Sequence, residues 1–185
     1  QIGSQISGTI KELYADFNSI VKQGQIIALL DQKTFIAQKE QSMANLMNAT
    51  ANVEKVKADL VEKKQRFNRI TTLSKEGLVS LGEKDTAEAS YLSNVAVLKS
   101  AEAQVAQFKA ALKLAEVNLE YTVIKSPVDG VVISRNVDVG QTVAASFQTP
   151  TLFTIAKDLS KMRVNTNIDE ADIGVIRLGQ ATQFT

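Results

Sequence analysis

The stretch Gln38–Ser74, QKEQSMANLMNATANVEKVKADLVEKKQRFNRITTLS, contains no glycine and no proline. Neither does Glu83–Ser126, EKDTAEASYLSNVAVLKSAEAQVAQFKAALKLAEVNLEYTVIKS. Those two residue types punctuate helices, so each stretch can run as one uninterrupted helix. On the first, apolar side chains fall at Leu46, Ala49, Val53, Val56, Leu60, Phe67 and Ile70, in alternating steps of three and four interrupted only at Lys63. On the second they fall at Tyr91, Leu98, Ala101, Val105, Phe108, Leu112, Ala115 and Leu119, with Asn94 as the polar break. Sustained over several heptads, this repeat is the signature of a coiled coil.

The two stripes also fit each other when the second helix folds back on the first. One antiparallel register pairs Leu46 with Ala115, Ala49 with Leu112, Val53 with Phe108, Val56 with Val105 and Leu60 with Ala101, and registers a few residues away remain open. Large side chains then tend to face small ones, as close packing of layers needs. At 1.5 Å per residue each arm is roughly 55 Å long and must project. Off the seam, Ala89, Ala96, Ala103, Ala110 and Val117 recur every seven residues. Two readings stand level: alanine as a good helix former at surface positions, or small contacts that let neighbouring hairpins pack side by side.

Composition narrows the function. The chain of 185 residues has no Cys and no His, which removes disulfides, thiolate chemistry, the commonest general base and the commonest zinc ligand. An enzyme is not expected. Lys and Arg total 21 against 20 Asp and Glu, and aromatics are 5%, so neither charge nor stacking surface points to nucleic acid. No run approaches the ~18 apolar residues of a membrane span. No signal peptide is visible at the start, and the chain reads as the ordered or trimmed part of a longer protein.

The flanks read as β structure. Ile6–Ile10, Leu13–Phe17 and a buried run ending at Asp31 are expected strands, with Lys22-Gln23-Gly24-Gln25 as a turn and Thr34 as the N-cap of the first helix. After the hairpin, Tyr121–Lys125, Val131–Ile133, Val137–Val139 and Pro150–Ala156 are expected strands. Gly140-Gln141-Thr142-Val143-Ala144 echoes Gly24-Gln25-Ile26-Ile27-Ala28, so Gly8–Ala28 and Gly130–Ala144 read as one motif used twice, the second copy shorter. Met162–Ile168 alternates as a strand, Asp169–Ile176 opens with acidic residues suited to a helix start, and Gly179-Gln180 is a turn.

This order of parts resembles the periplasmic adaptor, or membrane fusion, proteins of the HlyD-like superfamily, and most of all their macrolide-efflux (MacA-like) type. The resemblance rests on Gly24-Gln25-Ile26-Ile27-Ala28-Leu29-Leu30-Asp31, Ser126-Pro127-Val128-Asp129-Gly130-Val131-Val132, Val139-Gly140-Gln141-Thr142-Val143, Leu152-Phe153-Thr154-Ile155-Ala156 and Ile168-Asp169-Glu170-Ala171-Asp172-Ile173. It implies an α+β chain in four parts: a biotinyl-lipoyl-like β sandwich in two halves (1–33 and 121–157), an antiparallel helical hairpin (34–120), and the opening of a β barrel (158–185). Lipoyl domains modify a Lys at a tight turn where this chain has its hairpin. Lys33, near the junction, reads as an ordinary solvated lysine, and neither lipoate nor biotin is expected.

The resemblance further implies a subunit of a tripartite efflux pump. It would form a ring, a hexamer, in the periplasm, attached to the inner membrane through a segment absent from this chain. It would bridge an inner-membrane transporter to a TolC-like outer-membrane channel. An ABC-type transporter is favoured, with a proton-driven resistance-nodulation-division pump or a type I secretion system as alternatives. A lipoyl-type carrier domain is the alternative of a different class. Adaptors of this kind dock through an Arg, a Leu and a Ser at the hairpin tip, and Arg69, Leu73 and Ser80 stand at that spacing here. Chemically these supply a planar fork of donors, an apolar contact and a small donor–acceptor. On the residues alone, a capping leucine, a turn serine and a solvated arginine are the favoured account, and only the resemblance tips the reading to docking.

Overall fold

The computed structural model describes residues 1–145 and 150–157, together with Gly174 and Gly179. Its largest feature is the hairpin: α1 (Lys33–Lys75, 43 residues) and α2 (Leu81–Tyr121, 41 residues). The seam lies where the three-and-four repeat puts it. Val53, Val56 and Ala101 are buried and Leu98 and Val105 pack against them. Ser42, Ala49, Ala87 and Ala115 are buried on the same stripes. Nearer the tip Phe67 stacks on Tyr91, ring centroids 5.8 Å apart and planes 2° from parallel. That contact is one helical turn closer to the tip on α2 than the register expected from sequence, which would set Phe67 against Asn94. Lys63 stays half-buried on the seam, its ammonium reaching Glu62 at 3.0 Å.

Thr34 is not the N-cap of α1. The helix begins at Lys33 with Gln32 in the cap position, making no side-chain capping bond. Asp31 does the local work instead: its Oδ1 accepts from the Lys33 N–H at 3.1 Å. Asp31 also ends the preceding strand, as expected.

Among the described residues the β body holds eight short strands: β1 (Ile2–Gly3), β2 (Gly8–Leu13), β3 (Ile20–Val21), β4 (Ile26–Leu30), β5 (Val123–Lys125), β6 (Gly130–Arg135), β7 (Thr142–Val143) and β8 (Thr151–Ala156). They form two four-stranded sheets, ordered β1-β8-β6-β3 and β5-β4-β2-β7. All pairings are antiparallel. Ile10, Val21, Ile27, Leu30, Val132, Leu152 and Phe153 fill the space between them, none more than 1% exposed.

The two sheets are copies of each other. β1, β8, β6 and β3 in one correspond to β5, β4, β2 and β7 in the other. Ser4 and Ser126, both buried, donate to the carbonyls two residues on, Ile6 O at 2.5 Å and Val128 O at 2.6 Å. The Asn18 N–H bonds Val132 O at 2.9 Å, and the Gly140 N–H bonds Ile10 O at 2.8 Å. Asn18 (φ 62°) and Gly140 (φ 84°) share the left-handed conformation, which Asn tolerates better than most residues. The repeat therefore runs at one constant spacing from Ser4 to Val21 and from Ser126 to Val143, with no shortening. The sequence echo matched Gly140-Gln141 to Gly24-Gln25; the backbone matches it to Asn18-Ser19. The Gly24-Gln25 turn does share the local form of Gly140-Gln141, with a left-handed glycine (φ 80° and 84°) and a glutamine closing on the residue three before it, but it holds a different place in the repeat.

The same symmetry explains two strands that do not form. Past Leu13, residues 14–19 turn, and so do residues 136–141. In each, one side chain folds inward, Ala15 or Val137, and its neighbours stay in water. One buried residue between exposed ones imitates strand alternation. The barrel opening expected over 158–185 lies outside the described residues, apart from Gly174 and Gly179.

Candidate docking site at the hairpin tip

α1 stops by backbone chemistry. Gly77 takes φ 74°, its N–H bonds Ser74 O at 3.1 Å, and the Leu78 N–H bonds Leu73 O at 3.0 Å. This is a Schellman closure, which favours glycine at the left-handed position. α2 then starts at a capping box: Ser80 Oγ accepts from the Glu83 N–H at 3.2 Å, and Glu83 Oε2 accepts from the Ser80 N–H at 3.0 Å. Such a cap contributes about 1 kcal/mol. The letters Ser80-x-x-Glu83 carry that signal, which reading Ser80 as a docking or turn residue leaves unused.

The three candidate docking residues thus meet on one small turn but differ in freedom. Arg69 is exposed and, among the described residues, pairs with no carboxylate. Leu73 is half-buried and lends its carbonyl to the Schellman closure. Ser80 is exposed, with its hydroxyl committed to the cap and a 3.2 Å bond to Glu83 Oε2. Two residues missing from the sequence reading stand beside them. Leu78 is 67% exposed and Leu81 73% exposed. Both fall beyond the last apolar layer of the seam, so the hairpin gives them nothing to pack on; that position was their signal. Behind the turn, Arg66 and Ile70 of α1 and Gly82, Thr86 and Ser90 of α2 line a groove of about 400 Å³.

The flank of α2 is the second surface. Ala89, Ala96, Ala103 and Ala110 are all exposed, and Val117 is half-buried. Between Ala89 and Asn118 every α2 charge (Lys99, Glu102, Lys109, Lys113, Glu116) falls at the two heptad positions on one side of the seam. The opposite side carries only Ala, Ser, Gln, Val, Leu and Asn. Lys33 is exposed as the first residue of α1, not raised on a tight turn as a carrier lysine would be. Among the described residues there is no cluster of acidic side chains able to hold a metal ion, and no helix is long and apolar enough to cross a membrane.

Residues 1–155 match the model of the RND membrane fusion protein, barrel-sandwich hybrid domain. The chain belongs to that family. It is 33% identical over its whole length to the macrolide export protein MacA of Yersinia pestis, of which it spans 49%. It is 34% identical over its whole length to the pyoverdine export membrane fusion protein PvdR of Pseudomonas putida, spanning 47%. The crystal structure of MacA from Actinobacillus actinomycetemcomitans superposes with a TM-score of 0.84 at 34% identity, covering 94% of this chain and 53% of that one. The chain thus spans about half the length of the curated relatives it matches. The α+β architecture, a two-sheet body interrupted by a helical hairpin, is the one this chain shares with that MacA structure.

Proposed function

We propose that this chain is the periplasmic adaptor part of a tripartite efflux pump. It joins an inner-membrane transporter to a TolC-like outer-membrane channel through the hairpin tip. The observation that carries the reading is the arm itself. Two paired helices of about 40 residues reach roughly 60 Å from a small β body. They end in Arg69, Leu73 and Ser80 with Leu78 and Leu81 beside them, and the exposed side chains of Arg69, Leu78 and Leu81 take no part in the arm's seam or caps. No histidine or cysteine is present for chemistry; the work is mechanical, sealing and coupling.

The macrolide and pyoverdine export relatives support an export role. The resemblance to the macrolide type favours an ABC transporter as the inner-membrane partner. A second reading, a proton-driven pump, is favoured by the resistance-nodulation-division name of the matched family model. Ring assembly, with six copies expected, is supported by the flank of α2. Its alanine line at Ala89, Ala96, Ala103 and Ala110 faces away from the seam, with Lys99 and Lys113 on one side and uncharged residues on the other, so small side chains let a neighbouring hairpin come close.

Leu73→Asp tests the docking reading. It should abolish drug export in cells while circular dichroism shows unchanged helicity. Cross-linking from a single cysteine placed at Lys75 should capture the outer-membrane channel in the parent protein and not in the variant. Full drug resistance in Leu73→Asp would remove the docking claim.

A further inference from the structure

We propose that Gln32 and Thr122 form a clamp that fixes the direction in which the hairpin leaves the β body. The arm joins the body at two places only, Asp31-Gln32 between β4 and α1 and Thr122 between α2 and β5. Thr122 is 0% exposed, and every polar atom it has is engaged. Its Oγ1 accepts from Gln32 Nε2 at 2.6 Å and donates to Leu119 O at 2.6 Å. Its N–H donates to Leu119 O at 3.2 Å, and its carbonyl accepts from the Leu30 N–H at 2.9 Å. One residue thus ties the foot of α1, the last turn of α2 and the end of β4 together.

Packing alone does not call for this arrangement. Valine has nearly the shape of threonine and would fill the same space without a hydroxyl. Gln32 occupies the N-cap of α1 yet offers that helix no side-chain capping bond; its amide reaches across to Thr122 instead. Asp31 completes the joint, its N–H bonding Thr9 O of β2 at 2.9 Å while its carboxylate holds the Lys33 N–H. The feet of the arm are therefore pinned to both central strands of one sheet, β2 and β4.

Leverage makes the joint matter. With an arm of roughly 60 Å, a swing of about 10° at the base moves the tip by about 10 Å, the diameter of a helix. The consequence for docking rests on the adaptor reading above; the clamp itself does not.

The absence of native cysteine allows clean two-site spin labelling, one label at Lys75→Cys on the tip and one at Lys22→Cys on the body. Pulsed electron resonance on the parent protein should give one narrow distance peak. Gln32→Ala and Thr122→Val should each broaden it at least twofold, with helicity unchanged, and Thr122→Ser, which keeps the hydroxyl, should leave it narrow. Gln32 is only half-buried, so Gln32→Ala carries the test even if Thr122→Val fails to fold. An unbroadened peak in Gln32→Ala overturns the clamp. Failure of the docking reading shows separately, as retained export in Leu73→Asp, and leaves these widths as they are.

Discussion

Gly8 and Gly130 hold corresponding places in the two halves of the body, yet the same methyl group should be harmless at one and damaging at the other. A Cβ on Gly130 would stand 2.2 Å from Ala156 O, 2.8 Å from Ile155 Cγ2 and 2.9 Å from the Ala156 carbonyl carbon. Carbon atoms in contact sit about 3.5–4.0 Å apart. Strands β6 and β8 would have to part by roughly 1 Å at the Val131–Ala156 pair. The obstacle is backbone and cannot rotate away. Behind it lie Val132, Leu152 and Phe153, packed without exposure. Overpacking costs about 1–3 kcal/mol, and an immovable neighbour puts Gly130→Ala at the upper end. A Cβ on Gly8 would meet only the Leu30 side chain, at 3.5 Å. Gly8→Ala then gains about 0.5–1 kcal/mol from the stiffer chain. Hydrogen exchange at the Ile10 and Val132 amides, both bonded inside the body, isolates its stability from that of the helices. The two variants should differ by about 3.5–4 kcal/mol. Equal effects, or a Gly130→Ala body within about 0.5 kcal/mol of the parent, would refute the packing argument.

Two further outcomes are expected. Val105→Asp puts a carboxylate against the buried Val53–Val56–Ala101 cluster and should destabilise the hairpin by several kcal/mol; unchanged thermal unfolding of the helices would mean the seam lies elsewhere. The second concerns pH. The Phe17 N–H and then the Arg135 guanidinium hold the Asp16 carboxyl below its ordinary value of 3.8. A lowered folded-state value stabilises the fold above the ordinary carboxylate range and ceases to do so as pH falls through the lowered value. Asp16→Asn should therefore flatten the acid side of the body's stability curve. Acid limbs that superimpose for parent and variant would sink that assignment.

The hairpin was legible because its signals are local. Missing Gly and Pro, and a regular apolar repeat, need no knowledge of the rest of the chain. What the repeat hid was its own extent. Ser42, Ala87 and Thr122 continue the buried stripes, but small or polar letters do not register as seam. The β body was legible as two halves and blurred in detail. Leu13–Phe17 and Val137–Val139 look like strands in the sequence because a lone inward residue, Ala15 or Val137, imitates alternation. The turn at Asn18 is hidden in the sequence because its counterpart is Gly140, a different letter serving the same left-handed backbone. At the tip, the family resemblance marks Arg69, Leu73 and Ser80, whereas nothing in the sequence marks Leu78 and Leu81. A leucine in a turn is informative only once the seam is known to end before it.

The crossed pattern of the sheets explains how so long an insertion is tolerated. β3 belongs to the first half but pairs with β6 of the second; β7 belongs to the second but pairs with β2 of the first. Neither sheet is complete without the other half, and Arg135 adds an ion pair across the joint to Asp16 while also holding Asp138 of its own half. Yet the halves are separated in sequence by the whole hairpin, whose closure as a flexible loop would oppose their pairing. Helices that zip by local contacts remove most of that cost. Once α1 and α2 are side by side, their feet stand about 8–10 Å apart. The Leu29–Val123 pair and the Leu30 N–H to Thr122 O bond then need only a short approach. The arm is thus both the reaching part of the molecule and the device that brings the two halves of its body together.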